Sequence, residues 1–262
     1  MQRTAGVGRF ALPTSRTGAI LLEAVLSPER PVRELERNLF SALDPADEGA
    51  PYDARAAVYD RAVSSPLYSR LAWGVLPSSH TDFIQDAFDS AQEGWVLDVA
   101  AGSCAQSALV YSATSRPIVV LDRSLAMLRR GMARLRRLNG EIPARVHFLQ
   151  ADAASLPLRS NSVATVVCHG AFHLFTSPPE VCAEWRRVLR ERGSLYASSL
   201  TRGRWIGDRY LRLLYRAGEV SEPRSAAQFA REIGQLFGGT AQLECVGNFA
   251  YVRVRGGVPP AC

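Results

Sequence analysis

Short apolar runs alternate with amphipathic helical segments through the middle of the chain, and this alternation constrains the fold more than any other feature. The runs start at residues 95, 117, 145, 163 and 193 and read WVLDVA, PIVVLD, RVHFLQAD, VATVVCHG and GSLYASSL. Between the second and the third, one helix face carries Leu125, Leu128, Met132, Leu135 and Leu138. Strands that are apolar throughout are typical of a parallel sheet covered by helices on both faces. We therefore expect a doubly wound α/β fold.

Two further strands are predicted near the end of the sequence. Residues 240–256, TAQLECVGNFAYVRVRG, alternate apolar and polar side chains around Gly247-Asn248. This pattern predicts a terminal hairpin whose strands pair antiparallel at the sheet edge. Together with the five apolar runs, the hairpin makes a mostly parallel, seven-stranded sheet.

The residues before the first run predict helices. A helix is expected over residues 32–43, where apolar side chains recur at Val32, Leu35, Leu39 and Leu43. Residues 51–92 are interrupted by Pro66 and Pro77 and predict three short helices. We accordingly divide the chain into a partly helical N-terminal extension (1–50), a helical cap (51–92) and a core (93–262) with a lid insertion at about 201–225.

Composition excludes several classes of protein. The 31 basic residues are all arginine, so chemistry that needs a lysine Schiff base is ruled out. The five cysteines form no CxxC pair and no zinc quartet, which favours a reduced cytoplasmic location without a metal site. No run of 18 apolar residues is present, so we expect no membrane span. The stretch SPERPVRELER follows the early apolar run, which disfavours a signal or transit peptide.

One predicted helix carries a dense arginine face. Its members are Arg129, Arg130, Arg134, Arg136 and Arg137. No aromatic side chains are interleaved with them, as a surface that binds nucleic acid would favour. We therefore expect a solvated face and no nucleic-acid partner.

Acidic residues follow successive strands of the predicted sheet. Asp98 belongs to the first run, Asp122 ends the second and Asp152 ends the third. Ligands of doubly wound sheets bind beyond the carboxyl ends of the strands. An acid after the second strand can accept hydrogen bonds from both hydroxyls of a ribose, and one after the third can accept from the amine of an adenine. One such acid alone is usually a cap or turn residue, whereas three beside a small-residue loop indicate a nucleotide-like ligand.

From Trp95 to Leu200 the chain resembles the class I S-adenosylmethionine-dependent methyltransferases, which have a Rossmann-like sheet. VLDVAAGSC stands at the first motif of that family, and VVLDRSLAML resembles its second-strand acid and the helix that follows. LQADAASLPLRSNSVATVVCHGAFHLF and EWRRVLRERGSLY are similar to its later segments. The nearest type is the branch that acts on small molecules in the manner of ubiquinone and menaquinone biosynthesis.

The resemblance implies S-adenosylmethionine as the cofactor and a set of residues that hold it. Those residues are Asp98, Ala100, Gly102, Ser103, Asp122, Arg123, Met127, Asp152, Ala153 and His169. The first four would line the methionine part, Asp122 the ribose and Asp152 with Ala153 the adenine, while Arg123 and Met127 form walls. Gly102 would stand where no Cβ fits.

The first loop departs from the family at two positions. Ala100 and Cys104 stand where the family usually has glycine. Alanine is tolerable there if its φ stays negative. For Cys104, we favour a packing role over that of a reactive thiol.

Two histidines are the candidates for catalysis. His169 and His173, in CHGAFHLF, should lie at the mouth of the cleft. Either could accept a proton if the acceptor must lose one, because an unperturbed histidine titrates near neutrality. A packing role for both stays open. The Asn-Pro-Pro-Tyr motif of enzymes that methylate amino groups in nucleic acids and proteins does not follow the fourth strand.

The acceptor pocket should come from outside the shared core. Aromatic residues flank the core on both sides: Tyr59, Tyr68, Trp73, Trp205, Tyr210 and Tyr215. They suit a small, mostly apolar acceptor, although core packing explains them equally well. We expect methyl transfer to oxygen or carbon of such a molecule. The alternatives are a cyclase that uses bound cofactor only to shape its pocket, and a non-catalytic partner protein. The oligomeric state is left open.

Overall fold

The computed structural model describes residues 22–45, 60–61, 64–90, 93–238 and 241–255. Within these residues, nine strands form one sheet. They are β1 (Arg33–Glu36), β2 (Leu39–Ser41), β3 (Val96–Val99), β4 (Ile118–Asp122), β5 (Val146–Gln150), β6 (Val163–Cys168), β7 (Leu189–Leu200), β8 (Gln242–Val246) and β9 (Phe249–Val254).

Seven helical segments accompany the strands in the described part of the chain. They are α1 (Pro66–Tyr68, continued by a π-helical turn over Ser69–Trp73), α2 (Pro77–Asp89), α3 (Ala108–Ala113), α4 (Leu125–Asn139), α5 (Pro178–Val188), α6 (Trp205–Arg216) and α7 (Ala226–Phe237). A 3₁₀ turn lies at Phe172–Leu174. None of the described helices is long and apolar enough to cross a membrane.

The strand order places a crevice at the centre of the sheet. The order is β1-β2-β5-β4-β3-β6-β7-β9-β8, and neighbours from β2 to β7 run parallel. Strands β3, β4 and β5 advance in one direction, whereas β6 and β7 advance in the other, so the order reverses between β3 and β6. Loops at that reversal diverge and leave room for a ligand. The crevice therefore opens at the carboxyl ends of β3 and β6.

Two apolar layers hold the helices against the sheet. On one face Trp185 of α5 and Phe229 of α7 pack with the strands and are fully buried. On the other face Phe83 of α2, Tyr111 of α3 and Leu128 of α4 do the same. Burying each large apolar side chain contributes about 1.5–3 kcal/mol. These layers fix the frame from which the loops of the crevice extend.

The helix predicted over residues 32–43 was wrong, because that segment forms β1 and β2. The two strands meet at a turn in which Asn38 has φ +67°, a conformation that asparagine tolerates and a helix does not allow. Leu39 then pairs with Phe148 of β5, so the hairpin extends the parallel sheet. The same hairpin raises the strand count from the predicted seven to nine. At the other edge β8 and β9 pair antiparallel across Gly247-Asn248.

Candidate active site

A cavity of about 1230 Å³ opens in the crevice. The loops after β3, β4 and β5 line one side, and α1, α2, α6, β9 and the loop after β6 line the other. We name these sides the cofactor half and the acceptor half. Of the predicted site residues, all but Asp98 line the cavity: Ala100, Gly102, Ser103, Asp122, Arg123, Met127, Asp152, Ala153, His169 and His173.

Asp98 is buried behind the loop instead of facing the cavity. It is 2% exposed, and Tyr111 of α3 donates a hydrogen bond to its Oδ2. Its Oδ1 has no hydrogen-bond partner among the described residues. Burial raises the pKa of Asp98 to about 7, a hydrogen bond from Tyr111 opposes the rise, and nearby Asp122 adds to it. In this structure Asp98 thus binds α3 and does not line the cavity.

The loop after β3 takes left-handed backbone at three alternate residues. Ala100, Gly102 and Cys104 have φ of +53°, +56° and +57°. The condition that Ala100 keep a negative φ therefore fails, and such a conformation costs about 1–2 kcal/mol without glycine. A Cβ at Gly102 would meet no protein atom within 4 Å. Within the protein, Gly102 is thus favoured by its backbone conformation and not by lack of space.

Cys104 packs the loop onto α4. It is 1% exposed, and its Sγ lies 2.8 Å from where a Cβ would stand on Gly131. Burial raises the pKa of the Cys104 thiol, so the thiol stays protonated and unreactive. Gly131 lets α4 approach the loop closely. Sequence reasoning missed Gly131, because a glycine within a helical pattern gives no sign of what lies opposite it.

Asp122 joins the two loops of the cofactor half. Its Oδ2 accepts the backbone N–H of Gly102 at 2.8 Å, and its Oδ1 accepts that of Ser124 at 2.8 Å. Ser124 caps α4, since its hydroxyl accepts the N–H of Met127 at 3.2 Å. Each carboxylate oxygen of Asp122 therefore holds the backbone N–H of a different loop residue.

Asp152 and Arg123 face each other across the ends of β4 and β5. Their Oδ2 and Nη1 atoms are 2.6 Å apart, and the two side chains are 41% and 50% exposed. The other carboxylate oxygen of Asp152 accepts the N–H of Ala154 at 2.8 Å. The pair forms the outer rim of the cofactor half.

Two arginines of α4 bind a residue of the predicted cap. Arg134 lies 3.3 Å and Arg130 3.6 Å from the carboxylate of Asp60, which also accepts a hydrogen bond from the hydroxyl of Ser103. Arg134 donates to Ser103 Oγ at 3.0 Å as well. Asp60 therefore connects the predicted cap to Ser103 and to α4. The expectation of a solvated arginine face was wrong for Arg134, whose side chain is only 18% exposed.

Aromatic side chains build the wall of the acceptor half. Trp73 stacks on Tyr210 with ring centroids 5.1 Å apart, and Tyr68 Oη donates to Tyr210 Oη at 3.2 Å. All three line the cavity, as does Phe249 of β9. The predicted Tyr59 lies outside the described residues. Trp205 and Tyr215 are 70% and 46% exposed and do not line this cavity.

His169 forms the floor of the acceptor half with His80, which sequence reasoning missed. The centroids of the two imidazole rings are 4.8 Å apart, and both residues line the cavity. Their Nδ1 atoms lie 3.0 Å from Ser198 Oγ and 2.8 Å from Tyr251 Oη respectively. Burial lowers the pKa of His80 to about 4 and the pKa of His169 well below its usual value, with His80 lowering the latter further. Both imidazoles are therefore neutral at pH 7.

One ring nitrogen of His173 is hydrogen-bonded to the backbone. Its Nδ1 accepts the N–H of Leu200 at 3.2 Å, so the ring proton lies on Nε2. Burial, with a smaller effect of the Arg224 charge, lowers the pKa of His173 to about 3. In this tautomer Nε2 can donate a hydrogen bond but has no lone pair with which to accept a proton.

No group of three or more metal-ligating side chains occurs in the described ranges. Carboxylates, small residues and backbone N–H groups make up the cofactor half. This set suits a nucleoside with a charged tail, and the aromatic half beside it suits an apolar second substrate.

Comparisons with known proteins match the middle of the chain. Residues 97–197 match the methyltransferase domain family. An uncharacterized chloroplastic methyltransferase of Arabidopsis thaliana is 29% identical over 128 residues, which are 48% of this chain and 36% of that protein. The chain thus matches about a third of the length of this curated relative.

Solved structures share the fold. The cyclase SpnF superposes with a TM-score of 0.61 at 15% identity, covering 79% of this chain and 94% of that one. Geranyl diphosphate C-methyltransferase from Streptomyces coelicolor, solved with S-adenosyl-L-homocysteine, gives a TM-score of 0.56 at 14% identity and covers 82% and 85%. The ubiquinone- and menaquinone-like branch stays a prediction. Residues 97–197 thus match a methyltransferase domain, and the sheet that contains them shares the fold of solved methyltransferase structures.

Proposed function

We propose that the protein transfers the methyl group of S-adenosylmethionine to an oxygen or carbon atom of a small, mostly apolar acceptor. The observation that carries this proposal is the continuity of the cavity. One space joins the carboxylates of Asp122 and Asp152 to the aromatic wall and the buried histidines. A cofactor and an acceptor can therefore meet without intervening solvent, and such proximity and desolvation supply much of the rate of a displacement.

The cofactor half fits the proposed cofactor by the chemistry of its donors and acceptors. Both carboxylates line the cavity, where Asp122 would accept hydrogen bonds from ribose hydroxyls and Asp152 from an adenine amine. The small side chains of Ala100, Ala101 and Gly102 leave room along the loop. The sulfonium of S-adenosylmethionine would supply an electrophilic methyl group.

Positioning is the main role that we assign to the histidines. Neutral imidazoles hold an acceptor oxygen through hydrogen bonds, and their low pKa values make them weak bases. His169 is the better candidate for a base, because its Nδ1 can donate to Ser198 and leave Nε2 free to accept. His173 lacks that option while it accepts from Leu200.

The test is formation of S-adenosylhomocysteine. The purified protein is titrated with S-adenosylmethionine by calorimetry, and candidate phenols, carboxylic acids and isoprenoids are then added. We expect binding, followed by product with at least one acceptor class. Undetectable binding would overturn the proposal.

A pair of variants then separates the histidine roles. If His169 accepts the proton, His169→Gln should lower kcat by about 10²–10⁴-fold at near-normal cofactor affinity, whereas His173→Gln should not. If it only orients the acceptor, both losses should be smaller. The rate should not change as the pH falls through 6.5, because burial lowers the pKa of both histidines well below that value. A rate that halves near pH 6.5 would contradict the neutral site described above.

A cyclase is the second candidate. The fold of SpnF covers most of this chain, and two neutral histidines in an apolar pocket can orient a substrate that needs no proton transfer. Cofactor binding without any S-adenosylhomocysteine would favour this candidate, as would rearrangement of a polyene in the presence of the demethylated cofactor. Absence of any turnover would favour the non-catalytic partner protein.

A further inference from the structure

Helix α6 presents apolar side chains to solvent. Trp205, Ile206 and Leu213 are 70%, 44% and 61% exposed. An open surface cleft of about 810 Å³ runs along them, and Arg209, Arg212 and Arg216 also line it. Contiguous large apolar side chains on a surface mark an interaction site more often than scattered ones do. We name these six residues the α6 surface.

The helix is fixed from below, so it cannot turn this surface inward. Gly207 and Leu211 are buried, and a Cβ on Gly207 would stand 2.1 Å from Asn248 Oδ1. Asn248 also accepts the N–H of Arg204 at 3.3 Å and donates to Asp208 at 2.8 Å. The helix therefore holds its arginines and apolar residues in one lasting orientation.

Within the described residues, the α6 surface carries a net positive charge. Residues 204–216 contain four arginines and one acid, Asp208, which accepts hydrogen bonds from Gly203 and Asn248. Among the described residues, no ion pair within 4 Å joins Arg209, Arg212 or Arg216 to a carboxylate. A second copy of the chain would place these arginines opposite each other, which repels. An anionic partner would balance these charges.

A lipid bilayer matches both features of the α6 surface. Tryptophan and leucine enter the boundary between head groups and acyl chains, and arginine reaches from there to lipid phosphates. Anionic lipids on a membrane attract clusters of basic residues. A compact acidic protein would satisfy the charges but gives no reason for Trp205 to stand 70% exposed beside them.

The α6 surface is continuous with the acceptor half of the cavity. Tyr210 and Leu213 line both the surface cleft and the cavity, and Leu214 and Ala217 on the next turn line the cavity. We propose that α6 docks the protein onto an anionic membrane and that the acceptor is a molecule dissolved in the bilayer, which enters the cavity beside this helix. The second part rests on the proposed function, whereas the docking does not.

Vesicle binding tests the docking. Vesicles of phosphatidylcholine alone or mixed with phosphatidylserine are sedimented with the full chain. We expect binding to the mixed vesicles, little binding to neutral ones, and release by salt. Trp205 gives a direct readout, because the other tryptophans, Trp73, Trp95 and Trp185, are buried. Its emission should shift to the blue on binding, and Trp205→Phe should remove the shift.

Variants of the α6 surface measure how much its residues contribute to vesicle binding. Each arginine near an anionic surface strengthens binding about fivefold, so Arg209→Gln, Arg212→Gln and Arg216→Gln together should weaken binding about a hundredfold. Ile206→Ser should weaken it further. The matched control is Arg137→Gln with Leu138→Ser on α4, because Leu138 is 44% exposed, as Ile206 is. The control should bind vesicles like the parent.

Equal binding by the variants and the control would overturn the proposal, as would no binding of the parent to the mixed vesicles. A dimer in solution that Ile206→Ser dissociates would assign the surface to a second copy instead. Cofactor titration without vesicles is measured separately. Vesicle binding without cofactor binding would leave the docking intact and remove the proposed function, and the reverse result would remove only the docking.

Discussion

The two halves of the cavity are built in opposite ways. Backbone and side-chain hydrogen bonds between consecutive loops make the cofactor half, as where Asp122 binds Gly102 and Ser124. Aromatic stacking between distant segments makes the acceptor half, as where Trp73 meets Tyr210 and His80 meets His169. The first half is polar and local in the sequence, and the second is apolar and assembled from elements far apart.

The fold itself determines the cofactor half, whereas the acceptor half can differ between proteins that share this fold. The loops after β3, β4 and β5 must meet at the strand reversal whatever the acceptor is. The walls contributed by α1, α6 and β9 can change without disturbing those loops. The identity of the acceptor should therefore be encoded in the acceptor half.

We expect low pH to affect the two halves most differently, because the buried histidines lie in the acceptor half. Burial lowers the pKa of His80, His169 and His173 in the acceptor half, and of His147 in the core. A lowered folded-state pKa gives stability that is present above the unfolded value near 6.5 and lost as pH falls toward the folded value. Asp98 offsets the effect of one histidine on the free energy of unfolding, because its raised pKa of about 7 favours the folded state at low pH.

We therefore expect the free energy of unfolding to fall by about 4 kcal/mol per pH unit below about pH 6.5, from four histidine protons less one at Asp98. Denaturant unfolding from about pH 7 to about pH 5 measures this slope. His169→Gln should make the slope shallower by about one proton, and Asp98→Asn should make it steeper. An unchanged slope in both variants would show that neither group keeps its buried protonation state.

Loss of the Asp122 carboxylate should affect the cofactor half alone. Asp122→Ala should weaken binding of S-adenosylmethionine by about 1.5–3 kcal/mol, the range for hydrogen bonds to a charged group. Calorimetric titration measures it, with Phe249→Leu as the control on the acceptor side. Equal losses in both variants would mean that the halves are coupled and that the comparison fails.

Gly131 tests how tightly α4 holds the first loop. Gly131→Ala places a methyl group 2.8 Å from Cys104 Sγ and 3.0 Å from the Phe148 ring. Overpacking of this kind costs about 1–3 kcal/mol. Thermal and denaturant unfolding measure the loss, and Cys104→Ala in the same chain should recover part of it. No recovery would indicate that the ring of Phe148, and not the thiol, sets the limit.

Ala100 offers the smallest effect. Ala100→Gly relieves about 1–2 kcal/mol of left-handed strain and adds about 0.4–1 kcal/mol of unfolded-state entropy. A net gain in stability of about 0.5 kcal/mol should follow, with cofactor affinity near that of the parent. Gly140→Ala, at φ +81° in the C-cap of α4, should lose stability and serves as the control. A loss at Ala100→Gly would show that the methyl group packs favourably.

The sequence was informative where contacts are local. The acids after β4 and β5 and the loop after β3 follow strands whose apolar runs are plain, so their meeting at one edge could be predicted. His80 and Asp60 could not be found, because each contacts a segment far away in the chain. Gly131 could not be found, because a glycine within a helical pattern does not show what packs against it. Residues 32–43 misled for another reason: two short strands joined by a turn repeat apolar residues at nearly helical intervals.

The turn between β8 and β9 has a consequence for the order of folding. Asn248 donates its backbone N–H to Trp73 at 2.8 Å, and a Cβ on Gly247 would stand 2.1 Å from the same carbonyl oxygen. The position of Trp73 is thus fixed by residues that are synthesised long after it. Contacts between segments so far apart in the sequence form slowly. On the ribosome the central parallel strands can form while the aromatic wall still waits for its last support. The growing chain would then possess a nucleotide crevice before it possesses a place for the molecule to be modified.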